Sequence, residues 1–267
     1  MESGISQIKD YIGKDFAKVP YLYSNLFSLQ GADSNNKLSI NILIEKIGGG
    51  KIGAVFLLYH TCLHFYTRQE VYNGQKLKEI LSQNRVDVVM LPGNQKQLLA
   101  QFPLTTWRHV ADYIVRHKKA MLLPDYSTFM ISTEEEIRDV AKLMMTDRLY
   151  SDIYTQNELE LQLKERWRMG FGKIFTYKAE GKIVGSIAIT GENDKFVFNG
   201  CLIVSQPYRR RGIADVLVKA CVSYAYERNK FVLCFLGVEN EATLALHKKC
   251  DSPEIIGKII KCQRIKG

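Results

Sequence analysis

Two rhythms of apolar positions alternate along this chain. Dense or every-second runs predict strands, and steps of three and four predict helices. In the first half, 39–47 and 52–59 read as strands around a Gly48-Gly49-Gly50-Lys51 turn, and 62–67 as a third. Flanking strands make the triple glycine a hairpin turn rather than a phosphate loop. An aromatic stretch, Tyr21 to Phe27, precedes them, followed by polar turn residues through Lys37. Helical spacing is expected at 76–82, at 96–102 and at 107–117, where Trp107, Val110, Ala111 and Ile114 would share a face. The runs 86–91 and 121–124 read as strands.

The second half opens on Thr133-Glu134-Glu135-Glu136, the pattern of a capping box. A helix carrying Ile137, Val140, Ala141 and Met144 follows, then a loop over 146–154 and a second helix over 156–169. Strands are expected at 172–179, at 182–190 beyond a Glu180-Gly181 turn, and at 196–204. Past Gly212, apolar residues at Ile213, Val216, Leu217, Ala220, Cys221 and Tyr224 predict a helix with one buried face. A buried run at 231–238 and a short helix at 241–249 complete the pattern.

The junction at 204–214 carries the candidate chemistry. A strand enters it, a helix leaves it, and Arg209-Arg210-Arg211-Gly212-Ile213-Ala214 lies between. Free N–H groups at a helix start, with the positive end of its dipole, hold phosphate oxygens. Gly212 leaves the backbone open, and three arginines add charge suited to a diphosphate or a 3′-phosphate. The competing reading is a surface turn with a solvated basic run. One glycine is not the GxGxxG of a dinucleotide site, and no Lys-Ser/Thr follows it as in a P-loop.

Taken with its surroundings, residues 130–267 resemble the GNAT family of acyl-CoA-dependent N-acyltransferases. Arg209 to Ala214 matches that family's Arg/Gln-x-x-Gly-x-Gly/Ala signature, Val204-x-x-Pro207-x-Arg209 its strand-to-loop passage, and Asn240 with His247 its later Asn-x6-Tyr element. His stands where the family has Tyr, and Asp251-Ser252 where it often has Gly-Phe.

The resemblance implies a mixed α/β (α+β) fold: a GNAT domain at 127–267 after a smaller α/β domain at 1–126. That first domain is either a degenerate GNAT-like copy or an unrelated small α/β unit. It implies an acetyltransferase of the bacterial two-domain kind, with acetyl-CoA as acyl donor and an unidentified amine as acceptor. Pyrophosphate would lie over Arg209, Arg210, Arg211, Gly212, Ile213 and Ala214. Pantetheine would lie along Leu202, Ile203 and Val204, with Asn240 bonding the cofactor and His247 protonating the departing thiolate. Tyr150, Asp152 and Tyr154 would line the acceptor pocket. No general base stands out, because Glu192, Asp194 and Glu239 read as solvated turn carboxylates. A catalytically impaired acyl-CoA sensor or scaffold is the alternative motivated by His247 and Asp251.

Composition narrows the rest. The net charge of +9 is spread over both halves, so a nucleic-acid surface is a lesser alternative and nucleic acid is not an expected partner. No apolar run reaches the length of a membrane span, so no membrane partner is expected. No basic-then-apolar leader opens the chain. The six cysteines include no CxxC, and several sit in apolar runs. Free thiols in a reducing cytoplasm are expected, without a metal site. The expected assembly is a monomer or homodimer.

Overall fold

The computed structural model describes residues 2–30, 40–117, 122–170, 172–251 and 253–265. The chain divides into two compact units, Met1–Ile114 with Ile256–Gly267, and Val115–Ile255. They do not coincide with the linear domains 1–126 and 127–267, because the last strand returns to the first unit.

The first unit starts with two helices, α1 (Glu2–Ile12) and α2 (Pro20–Gln30). Three antiparallel strands follow, β1 (Ile40–Ile47), β2 (Lys51–Tyr59) and β3 (Cys62–Thr67). The triple glycine is the β1–β2 turn, and Gly49 and Gly50 take the left-handed φ values of 73° and 76° that such a turn requires. After α3 (Gln75–Gln83), β4 (Val88–Pro92) pairs in parallel with β3. β5 (Trp107–His117) begins in this unit, and β10 (Glu254–Arg264) pairs antiparallel with β4. The strand order of this unit is β1-β2-β3-β4-β10-β5. Its core packs Phe56, Phe65, Tyr72, Leu77 and Phe102 with Ile260 and Cys262 of the late strand.

The second unit repeats the layout. It has α4 (Glu135–Met144), a short α5 (Arg148–Ser151) and α6 (Gln156–Arg168). The antiparallel strands β6 (Lys173–Ala179), β7 (Lys182–Glu192) and β8 (Phe196–Val204) come next. Then α7 (Ile213–Glu227) leads to β9 (Phe231–Gly237), parallel to β8, and to α8 (Glu241–Asp251). Successive strand residues face opposite sides. Phe175, Ile187 and Val197 therefore pack with Leu217, Val218 and Cys221 of α7, while Ile174, Ala188 and Ile203 pack with Val140, Met144 and Leu163 of α4 and α6. One helix on one face and two on the other give both sides of this sheet a dry layer.

Five expectations are corrected. Residues 107–117 form β5, not a helix. Val110, Ile114 and Val115 are β-branched, and the neighbouring strand β10, whose Lys261 meets buried Asp112 at 2.6 Å, lies far along the chain where local periodicity cannot show it. Residues 96–101 form a 3-10 turn, closed at Phe102 by its N–H donating to Leu99 O. The loop at 146–154 contains α5, whose cap is Asp147, with Oδ1 accepting from Leu149 N–H. At α4 only half of the capping box forms. Glu136 accepts from the N–H groups of Ser132 and Thr133, but Glu134 is the cap residue and its side chain makes no cap bond. The full box lies at α6, where Thr155 and Glu158 bond reciprocally. Leu122 to Pro124 are not a strand; Met121, Ser39 and the polar residues 31–37 lie outside the described residues.

Candidate functional site

The site is built where β8 leaves β9. The two strands pair in parallel from Phe196–Phe231 to Asn199–Cys234, and there the pairing stops, although β8 continues to Val204 and β9 to Gly237. At the same point the β7–β8 register shifts twice, and Cys201 takes a left-handed φ of 57°. A bulge of this kind re-aims a strand and leaves backbone groups without a ladder partner. The result is a wedge that opens toward the C-terminal ends of two parallel strands, the end at which sheets of this kind receive ligands.

The signature turn stands at the tip of β8. Gly212 precedes α7 with φ 80°, a conformation that costs a residue with a Cβ about 1–2 kcal/mol. The first helical bond is Val216 N–H to Gly212 O, so the N–H groups of Ile213, Ala214 and Asp215 have no acceptor within the helix. Arg210 is also left-handed, at 62°, while Arg211 between them is not. Alternation of this kind curls successive N–H groups toward one point, as in anion-binding nests. No atom outside the turn lies within 4 Å of where a Gly212 Cβ would stand, so the cradle is open.

The arginines divide the work. Arg209 Nε donates to Val204 O at 2.9 Å, so its side chain ties the turn to the strand end. Arg210 and Arg211 are exposed, and Arg211 lies over the Tyr208 ring at 5.1 Å. Of the expected pantetheine strip, Leu202 and Val204 are half-buried, while Ile203 faces the core. Asn240 is exposed at the start of α8, where its Oδ1 accepts from Thr243 N–H at 3.0 Å. Its side-chain amide N–H₂ is the end that faces away from this cap.

The expected acceptor residues separate. Tyr150 and Tyr154 pack on the α4/α6 core layer beside Cys201, whereas Asp152 is exposed. Burial, with the Cys201 thiol alongside, raises the Tyr150 hydroxyl well above the usual phenol range. Burial likewise raises the Cys201 thiol. Both groups are therefore protonated at the edge of the wedge. Local sequence could not reveal this pair, because 51 positions separate the two residues and the bulge alone brings them together.

His247 is buried at 3% exposure. Its Nδ1 lies 2.9 Å from Nε2 of His117. Burial, reinforced by His117, lowers its pKa to about 3, so the ring is uncharged at neutral pH. The carboxylates expected to be solvated divide: Asp194 and Glu239 are exposed, but Glu192 holds Tyr224 OH at 2.8 Å and Lys230 Nζ at 2.6 Å.

Residues 139–251 match the model of the acetyltransferase (GNAT) family. The second unit carries a GNAT acetyltransferase domain. At the level of that family, an acyl-CoA thioester is the expected donor. No curated protein matches the chain. Among solved structures, a Drosophila protein is similar over 99% of this chain and 97% of its own, with a TM-score of 0.68 and 15% identity. A GCN5-related N-acetyltransferase-like protein from Streptococcus suis aligns over 99% of both chains, with a TM-score of 0.59 and 11% identity. A tandem GNAT protein from the clavulanic acid biosynthesis pathway covers 100% of this chain and 96% of its own, with a TM-score of 0.56 and 11% identity. At such identities the likeness is one of fold, and it extends over both units. Among the described residues no helix is long and apolar enough to cross a membrane.

Proposed function

We propose that the protein transfers an acetyl group from acetyl-CoA to an amine, by attack of the amine nitrogen on the thioester carbonyl. The C–N bond forms, the C–S bond breaks, the nitrogen loses a proton and the thiolate gains one. The observation that carries this reading is the open Gly212 turn at the mouth of the β8/β9 wedge. The free N–H groups of Ile213 and Ala214, with Arg210 and Arg211, bind and orient the diphosphate. The unladdered backbone of Leu202 and Val204 bonds the pantetheine amides, and the amide of Asn240 adds a donor. Holding donor and acceptor in one wedge supplies most of the acceleration.

The proton for the thiolate comes in this reading from Tyr150, whose phenol stays protonated beside the bulge. It is preferred to His247, whose ring is buried against His117. The amine arrives as the free base or loses its proton through water.

The test is amine-dependent release of free CoA from acetyl-CoA, measured across small amines, amino sugars, amino acids and peptide N-termini. Turnover with one class and about a 100-fold lower kcat in Tyr150→Phe, with CoA affinity retained, is expected. Tight CoA binding without turnover for any class would instead make the protein an acyl-CoA sensor.

A further inference from the structure

Three side chains outside the proposed transfer chemistry converge in the second unit: His117 at the end of β5, Cys234 on β9 and His247 on α8. All three are buried, each at 3% exposure. Their ligating atoms all lie within 4.8 Å of one another. His117 Nε2 stands 2.9 Å from His247 Nδ1 and 3.9 Å from Cys234 Sγ. A tetrahedral zinc ion holds nitrogens about 3.3 Å apart and nitrogen and sulfur about 3.5 Å apart, given Zn–N and Zn–S bonds of about 2.0 and 2.3 Å. The His–His and His117–Cys234 distances are each within a few tenths of an ångström of those values. Admitting an ion requires the imidazoles to part slightly and the thiol to close on them.

We propose that His117, Cys234 and His247 form a site for a thiophilic divalent cation of the zinc class. The ligand chemistry supports it: two imidazoles and one thiolate suit zinc, and they exclude calcium or magnesium, which take oxygen ligands. The surroundings support it too. All three groups are buried, so an ion held there is shielded from competing water. Binding releases the thiol proton, giving a net charge of +1 shared over the ion and its three ligands. The three residues lie on a strand end, a strand and a helix, and His117 precedes the other two by 117 and 130 positions. An ion there pins them together at Cys234, the last β9 residue paired with β8. The role is therefore to fix the root of the wedge, and it does not depend on the acyl-transfer reading.

Cobalt(II) is the probe, added to the full chain after exhaustive chelation. The expected result is one equivalent bound, with tetrahedral d–d bands and a thiolate-to-cobalt charge-transfer band, both displaced by zinc. Cys234→Ser is expected to lose the charge-transfer band, and His247→Ala to weaken cobalt binding at least 100-fold. Zinc is expected to raise the melting temperature of the parent protein and to protect Cys234 from alkylation, read by mass spectrometry. The alkylation experiment needs no variant, so it stands even where a substitution prevents folding. Absence of the bands, bands retained in Cys234→Ser, or Cys234 alkylation unaffected by zinc would each overturn the proposal. In that case the three groups are a self-satisfied buried polar cluster.

Discussion

Each unit turns from its third antiparallel strand into a helix through a left-handed glycine, yet only one of these two turns is sterically open. Gly74 precedes α3 with φ 77°, and Gly212 precedes α7 with φ 80°. The first helical bonds are alike, Lys78 N–H to Gly74 O and Val216 N–H to Gly212 O, both 3.1 Å. The difference lies in what stands in front. A Cβ at Gly74 would meet Gln101 Nε2 at 1.8 Å and Leu98 Cδ2 at 3.0 Å, while at Gly212 it would meet nothing within 4 Å. Asn73 Oδ1 already accepts from Gln75 N–H at 2.9 Å, consuming one of the orphan donors. The charges differ as well. Arg68 is drawn to Asp10 O and the Tyr11 ring, Val71, Tyr72 and Asn73 stand where the second turn has its arginines, and Glu70 precedes them. The same backbone device is thus sealed in one unit and open in the other. Fold repetition does not repeat function, because the loops and side chains around the turn decide whether its N–H groups are available.

The largest effect that would break this comparison is at Gly212. Gly212→Glu combines backbone strain with a carboxylate aimed at the phosphate position, and CoA affinity is expected to fall more than about 100-fold by calorimetry. Unchanged affinity would remove the turn from the cofactor site.

Next comes Glu136→Gln, which asks whether the second unit's stability can be separated from its turn. Burial raises the Glu136 carboxyl, but Lys178 and the N–H groups of Ser132 and Thr133 outweigh it and hold it at about 2, below its ordinary 4.5. A depressed folded pKa stabilises above the unfolded value and loses that contribution as pH falls. Glu136→Gln is therefore expected to cost about 2–3 kcal/mol at pH 7, read from urea midpoints, and progressively less from about pH 4.5 down to about pH 2. A cost that does not change with pH, or a loss of CoA binding, would contradict the separation.

Arg210→Ala with Arg211→Ala is expected to weaken CoA about tenfold and to flatten its salt dependence. An unchanged salt slope would assign the binding to the backbone alone. The smallest effect belongs to the sealed turn. Gln101→Ala removes the plug over Gly74 and is expected to leave one CoA bound per chain, because Glu70 and the missing arginines still disfavour phosphate. A stoichiometry of two would show that the plug alone separates the units.

Legibility in the sequence followed the range of the interactions. The hairpin at the triple glycine, strands β3 and β8, and the Gly212 helix start were all readable, because each rests on neighbours within a few residues. The resemblance also extended correctly to the family of the second unit. Element order points to the first unit's likeness to the second, but nothing local marks Gly74, since no arginine run precedes it. Trp107 to His117 has helical spacing, but its strand character is imposed by β10, 137 or more positions later in the chain.

What the sequence determined by itself was local: the period of each element, the turn that must be glycine, and the arginines beside it. The tertiary structure decided what those pieces face. It buried His247 against His117 and Cys234, brought Tyr150 to the Cys201 bulge, locked Arg209 onto Val204 O, and left Gly212 open where Gly74 is sealed. Burial and long-range proximity depend on how distant segments pack, and a side chain's protonation and availability depend on both.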